Sequence, residues 1–228
     1  MKRTIFITAA LFSAGLLLQS CDNNSSTTVK TETDTTMSNM NHSDNMDMKN
    51  MSHEMPQSMT TMMASMSAMK MTGDFDLDYA NMMIPHHQSA VDMVQEYLPN
   101  AKDEKIKTMA QNIIAAQKKE IEQLKTMAAN HKPADAKAHS GEGHAAGEHN
   151  ELMETMNKMM DEMKGMKMSG DADKDFVMMM IPHHQSAVDM AENEISHGKN
   201  YDLKKLSQKI VADQNKEIKE FQDWLKGK

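Results

Sequence analysis

The chain has a single cysteine, Cys21, so it forms no internal disulfide and builds no thiolate cluster. Aromatic residues are equally scarce, with one Trp and three Tyr among 228 residues, which excludes the stacking platforms that single-stranded nucleic acids require. The few glycines lie in turns and linkers, and none forms a phosphate-cradling loop. Basic residues are outnumbered, giving a net charge of −8. That balance argues against nucleic acid and against broad contact with anionic lipid. The one long apolar run, Thr4 to Leu18, is too short to span a bilayer as a stable helix.

That run follows Lys2 and Arg3 and ends in Leu18-Gln19-Ser20-Cys21. It reads as a bacterial lipoprotein signal over residues 1–20, with Cys21 as the lipidated N-terminus; a plain secretory peptide is the alternative. Removing Lys2 and Arg3 lowers the net charge by two, to about −10. The expectation is a protein on the periplasmic face of a bacterial membrane. Its lipid anchor would be its only membrane contact.

What the chain has in excess is methionine, 29 copies. Met is an adaptable core filler, but residues 37–55 alternate it with Asn, Asp, Ser and His, where no core is plausible. Residues 21–58 read as a disordered tether carrying Met37, Met40, His42, Met46, Met48, Met51, His53 and Met55 as soft ligands. From Met59 the spacing becomes helical: Met59, Met62, Met63, Met66 and Met69 form one stripe that serves packing, metal binding or both.

A shift of 97 positions lays residues 59–124 on residues 156–221 without a gap. Met62, Met63 and Met66 fall on Met159, Met160 and Met163, and Gln117, Glu120 and Ile121 on Gln214, Glu217 and Ile218. At the centre of each copy the same twelve residues, MMIPHHQSAVDM, occupy positions 82–93 and 179–190. Each repeat reads as a hairpin of two long helices. The first starts near Asp74 or Asp171 and carries the motif, with Pro85 and Pro182 either kinking it or opening a new helix. The second runs from about Asp103 or Asp202, its apolar stripe interrupted by Gln117 or Gln214. The expected organisation is repeat 1 at 59–129, a His-rich linker at 130–150 and repeat 2 at 151–228. His131, His139, His144 and His149 of the linker are either ligands or merely solubilising. The fold class is all-α, a four-helix bundle from two hairpins, and no strand pattern competes.

On a helix, residues four apart share a face, so Met82 lies beside His86 and Met83 beside His87, with Met93 returning to the His86 side. The second copy repeats this with Met179, Met180, His183, His184 and Met190. Thioether and imidazole suit Cu(I), with Ag(I) and Cu(II) as further candidates, whereas hard cations want oxygen. Met62, Met66, Met159 and Met163 are candidate additional ligands. Asp92, Asp189, Gln117 and Gln214 are candidates to support the imidazoles.

The spans from Asp74 to Leu124 and from Asp171 to Trp224 resemble the domain of unknown function 305 family. The likeness rests on MMIPHHQSAVDM and on the following helix with Gln117, Glu120 and Ile121, and their second-copy equivalents. The resemblance implies a ferritin-like helical bundle and, for some members, periplasmic binding of copper or silver through Met and His. The expectation is a non-enzymatic protein that buffers or relays Cu(I) at the cell envelope, with metal-exchange proteins as partners. A structural lipoprotein with a Met-filled core is one alternative. A ferritin-like di-metal oxidase is another, though Glu194–His197 is the only Glu-x-x-His spacing present.

Overall fold

The computed structural model describes residues 55–132 and 144–228. The signal, Cys21, the tether up to residue 54 and linker residues 133–143 lie outside the described residues. Six α-helices follow in order: α1 (Gln57–Ser67), α2 (Phe75–Tyr97), α3 (Glu104–Asn130), α4 (His144–Lys164), α5 (Ala172–His197) and α6 (Tyr201–Lys226). A 3-10 turn, Leu98–Asn100, links α2 to α3. There is no strand among the described residues, as the all-α reading requires.

Each long helix starts where the sequence carries a cap. Asp74 accepts from the Leu77 N–H, Asp103 from Lys105 and Ile106, Asp171 from Asp173 and Lys174, and Asn200 from Asp202 and Leu203. A glycine precedes the cap of both α2 and α5: Gly73 and Gly170 have φ of 82° and 81°, a conformation that favours glycine. Asp78 and Asp175 lock these turns by accepting from Thr72 and Gly73, and from Ser169 and Gly170. Pro85 and Pro182 sit inside continuous helices, so neither opens a new one.

The two hairpins, α2–α3 and α5–α6, meet through α2 and α5 at the centre. The methionine stripes add one helix to each hairpin: α1 packs on α2, and α4 on α5 and α2. Met59, Met62, Met63, Met66, Met156, Met159, Met160 and Met163 are all buried in the shared core. The α4 helix begins at His144, within the stretch read from sequence as linker. Trp224, outside the expected stripe, is also buried and donates to Asp103.

The repeats clasp each other reciprocally at the helix starts. Asp76, at the head of α2, accepts from the Lys199 and Asn200 N–H groups in the α5–α6 turn, both at 2.8 Å. Asp173, at the head of α5, accepts from Lys102 and Asp103 N–H in the α2–α3 turn, both at 3.0 Å. It also accepts from the Tyr97 hydroxyl. A buried carboxylate with three donors stabilises through charge-assisted bonds, and without it the buried Tyr97 hydroxyl would lose its partner. Asp173→Ala is expected to destabilise the protein by about 3 kcal/mol, the scale for losing charge-assisted bonds and stranding their donors. Urea unfolding measures this, and an unchanged midpoint would refute the clasp.

Candidate metal centre

The central packing of α2 against α5 brings the two copies of the motif together. The His86 and His183 rings lie with centroids 4.0 Å apart, one from each repeat and both fully buried. His87 and His184 are also fully buried and flank the pair, at 6.3 and 6.4 Å from their sequence neighbours. Four imidazoles therefore occupy the core between the hairpins.

Their outer contacts decide which nitrogens are free to bind a ligand. His87 Nε2 lies 3.1 Å from Glu120 Oε2, and His184 Nε2 lies 2.8 Å from Glu217 Oε2. A carboxylate there accepts the Nε2 proton, which leaves the buried Nδ1 as the lone-pair nitrogen. His183 Nε2 lies 2.7 Å from Ser89 Oγ. That hydroxyl also sits 2.7 Å from the His86 carbonyl and 3.0 Å from Met62 Sδ. One serine thus joins an imidazole of repeat 2 to a thioether of repeat 1. In the second copy Ser186 Oγ approaches Met156 Sδ at 3.6 Å but no imidazole nitrogen.

Five buried ring nitrogens have no hydrogen-bond partner: both of His86, and Nδ1 of His87, His183 and His184. Gln117 Oε1 and both polar atoms of the Gln214 amide are likewise unpartnered. An unpartnered buried polar atom costs about 1–3 kcal/mol, and native cores keep very few. That five of them belong to the four packed imidazoles is the signature of a site organised for an occupant.

Burial holds His86 and His183 well below the usual histidine range, and the neighbouring imidazoles add to the effect. Both rings are therefore neutral near pH 7, and each keeps one nitrogen as a lone pair beside one N–H. Burial opposes ionisation of Glu120, but His87 and Lys209 outweigh it and hold the carboxyl below its ordinary value. Lys209 Nζ, from α6, is 3.0 Å from Glu120 Oε1, which ties the support of His87 to the other repeat.

Of the residues marked from sequence, His86, His87, His183 and His184 converge, and Met62 reaches them through Ser89. Met66, Met82, Met83, Met159, Met163, Met180 and Met190 are buried in the surrounding core. Met93 and Met179 line a groove with Glu96, Tyr97 and Phe176. Asp92 and Asp189 do not support the imidazoles. Asp92 accepts from Gln88, and Asp189 from Gln185 and Lys158, all on the outer side of their helices. Residues four positions apart on a helix share a face, so Gln88 and Gln185, four before each aspartate, capture these carboxylates first. The supporting acids are Glu120 and Glu217. Their alignment under the 97-residue shift, one turn past Gln117 and Gln214, was the available signal.

The fold and this four-histidine core define a duplicated, all-helical protein with a soft-donor centre between its halves. The chain belongs to the DUF305 family, a domain of unknown function, whose model matches it twice, over residues 17–128 and 76–225. No curated protein matches the sequence significantly. Among solved structures, CopM in its Ag-bound form is 31% identical, with 70% of this chain and 98% of CopM covered and a TM-score of 0.49. CopM has also been solved in Cu(I)-bound, Cu(II)-bound and apo forms. A DUF305 protein from Streptomyces coelicolor is 21% identical, covering 69% of this chain and 95% of its own, with a TM-score of 0.52. That second likeness speaks to the fold.

The low proton affinity of the paired rings fixes a pH response. Unfolded histidine titrates near pH 6.5, while folded His86 and His183 stay neutral, so the unfolded state binds more protons below that pH. Stability of the metal-free protein should therefore fall as the pH drops below about 6.5. In the His86→Leu/His183→Leu variant this acid limb should flatten, as read by melting temperature between pH 7 and 5. An unchanged slope would contradict the buried neutral pair.

Proposed function

We propose that this protein binds Cu(I), and also Ag(I) and Cu(II), in a non-enzymatic role, buffering or relaying copper at the cell envelope. The observation that carries the reading is the set of five unpartnered imidazole nitrogens gathered where the two repeats meet, with Met62 beside them. Neutral imidazole and thioether are the donors that soft and borderline copper ions prefer, and the one cysteine, Cys21, is taken up by the lipid anchor in this reading. The 31% identity to CopM, solved with Ag, Cu(I) and Cu(II) bound, supports the same choice of metals.

In this reading His86 and His183 bind the ion from opposite repeats, with His87, His184 and Met62 in reach to complete its shell. Glu120 and Glu217 orient the flanking rings, and Ser89 fixes His183. The buried methionine layer of α1 and α4 excludes water and holds further sulfurs close to the centre. An export signal ending at Cys21 and a lipid anchor would put this site outside the cytoplasm, where metal-exchange proteins of the envelope are its natural partners. Among the described residues no helix is long and apolar enough to cross a membrane, so attachment in this reading depends on the anchor.

Titration of the full-length apo-protein with Cu(I) against a competing chelator tests the proposal. At least one tightly held equivalent is expected. It should weaken by about 100-fold or more in His86→Ala/His183→Ala, and by about 10- to 100-fold in Glu120→Gln, the range for losing a ligand's supporting carboxylate. Binding that is unchanged in the double histidine variant would overturn it.

A further inference from the structure

The duplication makes each end of the clasped bundle a control for the other. The 97-residue shift pairs Asp171, Asp173, Tyr97, Asp103 and Lys228 with Asp74, Asp76, Glu194, Asn200 and His131. At the first end every acid is closed by a donor from the protein. Tyr97 donates to Asp173, and Lys228 Nζ lies 3.0 Å from Asp103 Oδ2. At the second end both of these donors have been exchanged for metal-ligating side chains. Glu194 stands where Tyr97 would, and His131 where Lys228 would.

The exchange leaves acids facing acids. Asp74, Asp76 and His131 each present a ligand atom, and these atoms all lie within 4.8 Å of one another. His131 Nε2 is 3.0 Å from Asp74 Oδ2, and the imidazole is 7% exposed. Its Nδ1 is 3.4 Å from the Asn200 amide nitrogen. Glu194 is fully buried, and neither of its carboxyl oxygens receives a donor. Burial, then the Asp76 charge and a carboxyl–carboxyl hydrogen bond to Asp76, push it up to about 9, with the Asp74 charge adding to the effect. Lys204, whose charge opposes this shift, has its ammonium on the Gly198 carbonyl at 3.1 Å. Gly198 itself is required by this crowding, since a Cβ there would meet Glu194 Oε1 at 2.2 Å.

A purely structural end would have kept the tyrosine and lysine that close the other one. We propose that Asp74, Asp76, Glu194 and His131 form a second metal site, for a borderline divalent cation of the Zn(II) class. The juxtaposition of three carboxylates and one imidazole, with no thioether among them, suits such an ion and disfavours Cu(I). The ion would take the place of the proton that Glu194 shares with Asp76 and bridge α2, the end of α3 and α5 of the other repeat. The site does not depend on the centre at His86 and His183.

The test is a Zn(II) titration of the full-length protein against a chromophoric chelator, with melting temperature measured in the presence and absence of Zn(II). Two variants accompany it. Glu194→Gln keeps shape and a neutral head group but gives up the anionic ligand. Glu194→Tyr/His131→Lys rebuilds the closed end that the protein already uses elsewhere. Wild type should hold one more Zn(II) equivalent than either variant, and the thermal gain from that equivalent should vanish in both. His86→Leu/His183→Leu should retain it. If the Tyr/Lys variant does not give the wild-type helical signal, Glu194→Gln alone decides. Equal stoichiometry and equal thermal gain in wild type and Glu194→Gln would overturn the site.

Discussion

The contact between the tilted His86 and His183 rings constrains the rest of the molecule, because two imidazoles can be buried this close together only as neutral groups. A protonated pair at a centroid distance of 4.0 Å would set like charges together in a dry core. Neutral rings, in turn, leave nitrogens that need partners, and the surrounding core supplies methionine and alanine rather than hydrogen-bond donors. The flanking His87 and His184 are each turned by a glutamate on the second helix of their own hairpin. Those glutamates have to reach inward, which sets the register of α3 on α2 and of α6 on α5. Helix packing, tautomer choice and ligand supply are therefore parts of one arrangement.

Duplication provides that arrangement at small cost in sequence. One hairpin places a histidine pair at its surface, and a second copy meets it there, so neither repeat completes the centre alone. The reciprocal aspartate clasp holds the two copies in the register that this meeting needs. Symmetry is then broken where function differs. Ser89 touches His183 while Ser186 touches only a thioether, and Lys209 supports Glu120 with no lysine in the matching position at Asn112. Tyr97 and Glu194 mark a third departure, at the clasp itself.

Much of this was legible in the residues because periodicity and repetition are local signals. The hairpins, their aspartate starts, the Gln-interrupted stripes of α3 and α6 and the histidine pairs all follow from spacing along the chain. The meeting of His86 with His183 did not follow, since residues 97 apart converge only through tertiary packing. Asp92 and Asp189 misled for a related reason. They lie within the motif, but their helical position turns them outward, while Glu120 and Glu217 sit a whole helix away in sequence. The methionine stripe was read as core or ligand without a decision between them. Met62 is buried in the core with its sulfur against Ser89, so one position combines core packing with the placing of a thioether next to an imidazole contact.

The central claim is that one centre is shared between the repeats. A crystal structure of the Cu(I)-loaded protein, with anomalous data at the copper edge, tests it most directly. The account predicts a copper peak between the His86 and His183 rings, with nitrogen ligands from both repeats. Copper confined to separate sites, each served by one repeat, with the two rings in contact and unmetallated, would contradict it.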